Sequence, residues 1–386
     1  MAPRRHGHRA PAEKRCVKPS ECFSTTIRTL ESFVPIGMQG RFKAKDIHSL
    51  AVAMAVERQS IHSMGSLLSK GMSETNFWHH VSKLKIADLE SLNQLLLTSP
   101  VLKFLPRDRP YRFAIDETND PYYGHTCSEN DGYVLNDKAK KSTTTFYRYI
   151  TLELLMPYLK VTLSVLPVHE GVKKETYVQT MLDVLEDMGF SVEVLLLDRG
   201  FYSGEVFKLL MGREIPHIMP VKVQSEKMKA FLKGRGSGFT KYTLNEQKDP
   251  VELNIARRTY YLKGKYDKHG MENYGYVVHG LDWSPQKISR IYRKRFGIES
   301  SYSMRNKVRP RTTTRSPTVR YYLFLVSMLL RNVWMTLRWK YFRRRRRGPS
   351  TVDEDAFRFD TFRLIIWECA RRVLKMIFEV AVLRPG

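Results

Sequence analysis

Residues 111–124 read YRFAIDETNDPYYG and place three acids directly after an apolar run. This stretch begins with an apolar, aromatic run typical of a buried strand, continues into Asp116, Glu117 and Asp120, and bends at Pro121. A carboxylate on a buried strand face needs a partner, because burying an unpaired charge is costly. Asp116, directly after the apolar run, is therefore a candidate functional residue.

The segments around this stretch indicate an α/β core. Strand-like runs lie at 147–155, 160–168, 192–197 and 216–221, and helix-like runs lie at 173–189 and 203–213. The run VEVLLL, apolar enough for a strand buried on both faces, ends in Asp198. Ligands bind at strand ends in open α/β sheets, so Asp116 and Asp198 converge if their strands are neighbours. The alternative is that each aspartate caps a turn or helix.

A third acid stands on a helix that we predict from Ser284 onward, with serine as the cap and Pro285 in the first turn. Glu299 is the only acid among the many Lys and Arg residues between Ser284 and Arg347. A salt bridge to Arg295 is one explanation. The spacing of Tyr292, Arg295 and Glu299 by three and four positions also puts all three on one helix face, where they can point at a common site.

The charge of the chain indicates a polyanionic partner. Its 386 residues carry a formal net charge of +26. Such an excess of Lys and Arg favours binding to nucleic acid, because neutralising the phosphates releases counterions. The cysteines are scattered and favour neither a disulfide framework nor a zinc ribbon. We find no signal peptide, and the apolar run at 321–330 is too short to cross a bilayer, so we expect a soluble protein that does not enter a membrane.

Three carboxylates among cations suit metal-dependent phosphoryl transfer on DNA. Mg²⁺ prefers oxygen ligands, and two ions about 4 Å apart stabilise both the attacking and the leaving oxygen of an in-line displacement. In this interpretation the acids bind the metal and the cations bind the phosphodiester backbone.

At these residues the sequence resembles the DDE transposases of the IS4-like group. The segment FAIDET carries the first acid, LLLDRGFYS the second, and YRKRFGIESSYSMRNK carries the group's spacing of Tyr292, Arg295 and Glu299. The resemblance covers roughly residues 108 to 340. It implies an RNase H-like catalytic core interrupted by a β-rich insertion before the last acid.

The resemblance also implies roles for individual residues. Asp116, Asp198 and Glu299 would bind two Mg²⁺ ions, for which Mn²⁺ can substitute, and Tyr292 and Arg295 would contact DNA near the cleaved phosphate. Asn306 occupies the position where the group usually has a lysine, and Lys307 follows it. Further candidate DNA contacts are Arg199, which flanks the second acid, and Lys307, Arg309 and Arg311. For Asp120 the alternatives are a spare ligand and a turn former beside Pro121.

The chain divides into six predicted regions. They are a disordered basic arm (1–25), a helical region (26–107), the first part of an RNase H-like core (108–220), a β-rich insertion (221–283), the completion of the core (284–342), and a basic run with a C-terminal helix (343–386). The helical region fits either a DNA-binding helix-turn-helix or a plain helical bundle. In the C-terminal helix, the residues expected to pack are Leu364, Trp367, Val373, Ile377 and Val380.

The sequence as a whole predicts the transposase of an insertion sequence. Its partners would be the terminal inverted repeats of the element and target DNA, bound by a homodimer in a synaptic complex. We expect it in the cytoplasm, associated with the nucleoid. Two alternatives stay open, an RNase H-like nuclease without strand transfer and a catalytically inactive DNA-binding descendant.

Overall fold

The computed structural model describes residues 16–37, 42–65, 67–68, 73–223, 225–245, 247–261, 270–346 and 348–376, without the side chains of 296–300, 345, 346, 348 and 349. Some predictions lie outside the described residues: residues 1–15 of the basic arm, residues 262–269 of the insertion, Arg347, and the packing positions Ile377 and Val380.

The secondary structure alternates as expected from residue 111 onward. The helices are α1 Pro19–Phe33, α2 Ala44–Glu57, α3 Ile61–Gly65, α4 Glu74–Val81, α5 Ile86–Thr98, α6 Lys174–Asp187, α7 Gly204–Gly212, α8 Glu226–Lys233, α9 Pro285–Arg293, α10 Gly297–Asn306, α11 Pro317–Phe342 and α12 Phe359–Val373. The strands are β1 Tyr111–Tyr122, β2 Val134–Lys140, β3 Thr143–Met156, β4 Leu159–Pro167, β5 Val192–Leu197, β6 His217–Pro220, β7 Gly238–Leu244, β8 Val251–Tyr261, β9 Met271–His279, β10 Arg343–Arg346 and β11 Gly348–Val352. The expected strands at 147–155, 160–168 and 192–197 and the helix at 173–189 are confirmed, whereas β2 and α8 were not predicted.

One large mixed sheet organises the described chain. Its strands lie in the order β2-β3-β1-β5-β6-β9-β8-β7. Strand β4 also pairs with β3, on the same edge as β2 but further along the strand. The pairs β1–β5 and β5–β6 are parallel, while β1–β3 and β6–β9 are antiparallel. Strand β5, which has a parallel neighbour on each side, is apolar at every position except Glu193.

The β-rich segment after residue 220 extends this sheet. Strand β9 pairs with β6 from His217 opposite His279 to Pro220 opposite Tyr276, so the backbone hydrogen bonds of the sheet cross the expected boundary. The limits of the six regions stay a prediction.

Helix α11 forms the centre of the helical layer. It is buried along almost its whole length, with apolar side chains on every face, because the sheet lies on one side and other helices lie on the other. Its one fully buried cation, Arg331, is paired with Glu153 on β3. No helix in the described part of the chain is long and apolar enough to cross a membrane.

The N-terminal helices pack into the same core. Helix α2 is buried from Ile47 to Val56 and lies against α1, α11 and α12. Ser73 caps α4 as expected, accepting a hydrogen bond from the backbone N–H of Asn76. The disordered arm was predicted to reach residue 25, and this is wrong from Pro19 onward. Proline suits the first turn of α1, and the burial of Cys22 then holds the helix on the core.

Helix α12 docks mainly through a different face from the expected one, although Trp367 packs against the core as expected. Leu364 is 66% exposed and Val373 is also exposed, while the buried stripe consists of Phe359, Phe362, Ile366 and Ala370. The two phenylalanines bury the larger apolar area, and they set the rotation of the helix against α1 and α2.

The helix predicted from Ser284 is confirmed at its start but broken further on. Ser284 accepts a hydrogen bond from the backbone N–H of Lys287, and Pro285 opens α9. A single 3-10 turn, Lys294–Phe296, then separates α9 from α10, which starts at Gly297. Glycine weakens a helix interior, and 3-10 turns are common at helix ends. The expectation of one uninterrupted α-helix carrying Tyr292, Arg295 and Glu299 is therefore wrong.

The buried pair of Arg331 and Glu153 generates a stability prediction. Arg331→Met should lower the free energy of unfolding by about 3–5 kcal/mol, because Glu153 then stays buried without its cation. The double variant with Glu153→Leu should be clearly less destabilised than this single variant. Urea unfolding measures both.

The matched control is Arg344→Met, because Arg344 forms an exposed pair with Asp353. It should cost less than about 1 kcal/mol. Equal losses for Arg331→Met and Arg344→Met would contradict the assignment of the buried pair.

Candidate active site

Asp116 and Asp198 lie at adjacent positions on neighbouring parallel strands. The register pairs Ile115 of β1 with Leu197, the last residue of β5, and each of these residues is followed directly by one of the two aspartates. The condition that the two strands be neighbours is therefore met. One detail differs from expectation: β1 does not end before Asp116 but continues to Tyr122, because β3 pairs with it throughout, with Thr151 opposite Asp116.

The guanidinium of Arg295 joins the two carboxylates. It lies on the 3-10 turn after α9, 3.0 Å from Oδ2 of Asp116 and 3.4 Å from Oδ1 of Asp198. The other oxygen of Asp116 accepts a hydrogen bond from the backbone N–H of Glu117. The break between α9 and α10 thus brings a cation to the two acids.

The two carboxylates differ in solvation. The side chain of Asp116 is 9% exposed and that of Asp198 is 43% exposed. Burial raises the pKa of Asp116 to about 6, although Arg295 and the backbone N–H of Glu117 oppose the rise. A buried acid beside a solvated acid suits a site that takes up additional cationic charge.

Tyr292 supports the site from beneath. Its hydroxyl donates a hydrogen bond to the carbonyl oxygen of Leu197, and its ring lies against Tyr276 and near Arg295. Burial raises its pKa well above the usual range. The residue is buried, so it braces the end of β5 and the guanidinium of Arg295.

Glu299 lies in the first turn of α10, and its side chain is outside the described atoms. The rest of the helix is anchored by polar contacts to the sheet and to α11. Tyr302 is hydrogen bonded to Thr151, 2.7 Å away, and Ser301 accepts from Arg331. Thr151 is the residue opposite Asp116, so these contacts set the position of α10 relative to the first acid.

Asp120 is neither a spare ligand nor a turn former. It lies within β1, buried, and its carboxylate is 2.7 Å from Arg305, 3.0 Å from Arg309 and 3.6 Å from Arg320. Burial opposes its ionisation, but the three guanidiniums outweigh burial and lower its pKa. The pattern missed this role because the three arginines approach only when α10 and α11 pack on the sheet.

The other acid of the stretch, Glu117, also has a structural role. Its carboxylate pairs with Lys174 at 2.8 Å and with Arg148 at 3.0 Å. These contacts tie β1 to the start of α6 and to β3. Of the three acids that follow the apolar run, only Asp116 meets Asp198.

The candidate DNA contacts fall into two groups. Arg199 and Arg311 are exposed, and Arg199 lines a cavity of about 840 Å³ that also holds Asp198, Tyr292 and Arg295. Lys307 pairs with Asp360 at 2.7 Å, and Arg309 is half-buried beside Asp120. The structure therefore brings Arg199 and Arg295 to the two acids, and it gives Lys307 and Arg309 acidic partners elsewhere.

The described residues contain no group of three or more Asp, Glu, His or Cys side chains able to hold a metal ion. Asp116 and Asp198 are two oxygen donors of the kind that hard divalent cations require, with a positive guanidinium already between them. They fit part of a metal site, which an acid from α10 would have to complete.

Residues 107–328, more than half of the chain, match the family described as Transposase DDE domain. The chain belongs to this family. Members of the family generally use divalent metal ions to transfer phosphoryl groups on DNA.

Among solved structures, the chain is similar to the piggyBac transposase in the cryo-EM structure of its synaptic complex with hairpin DNA. The TM-score is 0.54 at 13% identity, and the match covers 92% of this chain and 78% of that one. At this identity the similarity shows the fold alone: an α/β fold like that of a transposase, consistent with an RNase H-like core. No curated protein is similar enough in sequence to count as a match.

The pKa of Asp116 generates a prediction for the metal-free protein. In EDTA at neutral pH, Asp116→Asn should raise the free energy of unfolding by about 1–2 kcal/mol, because it removes a desolvated charge. The folded-state pKa lies above the unfolded one, so protonation stabilises the wild-type fold. The gain should therefore shrink as the pH falls below about 6. Urea unfolding over a pH series measures it.

Asp355→Asn is the control, since the exposed Asp355 pairs only with its neighbour Arg358 among the described residues. It should show little effect at any pH. If the increase in the free energy of unfolding for Asp116→Asn did not change with pH, ionisation of the buried Asp116 would not be its cause.

Proposed function

We propose that the chain is an IS4-like DNA transposase of an insertion sequence, which cleaves DNA at the element ends and transfers the 3′-hydroxyl into target DNA. The observation that carries the proposal is the meeting of Asp116 and Asp198 at Arg295, within the region that matches the family. The order of the three motifs around Asp116, Asp198 and Glu299 supports the IS4-like group.

The proposed catalytic residues are Asp116, Asp198 and Glu299, and they would hold two Mg²⁺ ions, for which Mn²⁺ can substitute. Two such ions stabilise the attacking and the leaving oxygen of an in-line displacement at phosphorus. Supporting this assignment, α10 carries Glu299 and is anchored to Thr151, directly opposite Asp116.

The residues around the acids would bind and orient the DNA. Arg295 lies between the two carboxylates, so its charge can neutralise a phosphate bound at the same point. Arg199 is exposed beside Asp198 and is placed to contact the backbone on the open side of the cavity. Tyr292 would keep Arg295 in place, because the Tyr292 hydroxyl is hydrogen bonded to the carbonyl oxygen of Leu197.

The loop 307–316 would supply further contacts. Arg311 is exposed, and Arg309 keeps part of its guanidinium accessible while Asp120 holds it in place. Lys307 would need to leave Asp360 to reach a phosphate. We propose a homodimer in the synaptic complex, with terminal inverted repeats and target DNA as partners, acting in the cytoplasm at the nucleoid.

Glu299→Gln tests the proposed chemistry. It should leave DNA binding nearly unchanged and abolish Mg²⁺-dependent cleavage, because the amide lacks the charge that a divalent ion requires. The substrates are duplexes carrying the inverted repeats that flank the gene, together with a target plasmid. Gel electrophoresis separates cleaved from joined products, so cleavage without joining would favour a nuclease.

Glu205→Gln, at an exposed position in the first turn of α7, is the matched control and should cleave like the wild type. Normal cleavage by Glu299→Gln would show that the site assignment is wrong. Absence of cleavage by the wild type with either metal would favour the inactive descendant.

A further inference from the structure

The outer face of α9 and the turn after it carry a row of cations outside the candidate active site. Lys287, Arg290, Arg293 and Lys294 recur at helical spacing on this side, and we call these four residues the α9 basic strip. The opposite face buries Ile288, Ile291 and Tyr292 against the sheet. The strip is therefore fixed on a rigid element.

The strip lacks acidic partners. In the described part of the chain, none of its four residues has a carboxylate within ion-pair distance, in contrast to Arg295 at the end of the same turn. Arg258 on β8 and Lys160 on β4 flank the strip, also without an acidic partner among the described residues. Positive charge is therefore concentrated here, with Glu193 and Glu354 nearby but not in ion-pair contact with the strip.

Crowding of these cations is visible in two lysines. Burial lowers the pKa of Lys294, and the nearby Arg112 and Arg290 lower it further. Burial also lowers the pKa of Lys160, with Arg331 adding to the effect. The charged form of each lysine is less favourable here than in water. An anion bound beside them would offset the repulsion from the neighbouring cations.

Two cavities open along the strip, and Arg293 lines both. One, of about 420 Å³, is also lined by Arg258, Lys287 and Arg290. The other, of about 620 Å³, is also lined by Lys160 and Lys294. Cations from several elements thus line the cavities beside α9.

Aromatic rings are interleaved with these cations. Arg258 and Arg293 both lie over the ring of Tyr260, at 4.5 and 4.7 Å, and Lys287 lies 4.0 Å from the ring of Trp283. Stacking limits the side-chain freedom that a ligand would otherwise have to freeze. Arg293 and Lys287 of the strip are thus partly pre-organised for binding.

We propose that the α9 basic strip binds the backbone phosphates of a duplex DNA segment that lies outside the candidate active site. The distance from Lys287 to Lys294 along the helix is about 10 Å, which spans two to three successive phosphates of one strand. This inference rests on the proposed function, since it extends the DNA path of that site. Lys294 directly precedes Arg295, so the strip leads DNA to the two acids.

The test is a DNA-binding measurement in EDTA, where no cleavage occurs. The variant combines Lys287→Gln, Arg290→Gln and Lys294→Gln in the full chain, and Arg293 is kept because it also lines the cavity beside Asp198. Fluorescence polarisation with a random-sequence duplex, over a salt series, should show at least about tenfold weaker binding. The slope of log affinity against log salt should become shallower by about 2–3, because each lost phosphate contact removes about 0.9.

The control variant removes the same charge elsewhere, through Lys173→Gln, Lys208→Gln and Lys229→Gln, three exposed lysines that pair with acids. Thermal unfolding should be unchanged in both variants, since all six positions reach solvent. If the strip and control variants gave the same affinity and the same salt slope, the inference would be overturned.

A second duplex carrying the flanking inverted repeat tells which DNA occupies the strip. Loss of affinity for both duplexes places the element end there, while loss for the random duplex alone places target DNA there. Neither binding measurement depends on cleavage. A negative result for the strip can therefore be told apart from a failure of the proposed chemistry, which Glu299→Gln tests.

Discussion

The parallel pairing of β1 with β5 is the constraint on which the rest of the site depends. Its register brings two aspartates to one point of the sheet, and two carboxylates this close need a cation. Arg295 supplies it from the 3-10 turn, and this turn requires α9 to end and α10 to begin where they do. Strand register, helix break and charge compensation are thus parts of one arrangement.

Buried charge is paired throughout the described interior of this strongly basic chain. Arg331 meets Glu153 behind the sheet, three arginines meet Asp120 beside it, and Arg295 meets the two acids. Such pairs contribute little net stability but specify how elements dock, because a misplaced helix would leave a charge unpaired. The cations of the α9 basic strip reach solvent and form no such pair among the described residues.

Several elements of the core could be predicted because their limits depend only on residues close in sequence. The apolar run of β5, its end before Asp198, and the cap and proline at Ser284 and Pro285 depend on neighbouring residues only, and all appear as expected. Wrong predictions arose where distant segments decide. Asp120 resembled a turn residue because nothing nearby shows that arginines of α10 and α11 will surround it, and Leu364 resembled a core residue because the partner of α12 is far away in sequence.

Most strands and helices of the core, the position of Asp198 after a buried strand, and the excess of cations suited to DNA follow from the amino-acid sequence without the fold. Only the folded structure shows that Asp116 lies beside Asp198 and that Arg295 pairs with both. It also shows which acids form internal ion pairs, as Asp120 does. The physical reason is that strand neighbours and buried ion pairs form between residues far apart in the chain. Local periodicity carries no information on which of many charged residues will be brought together.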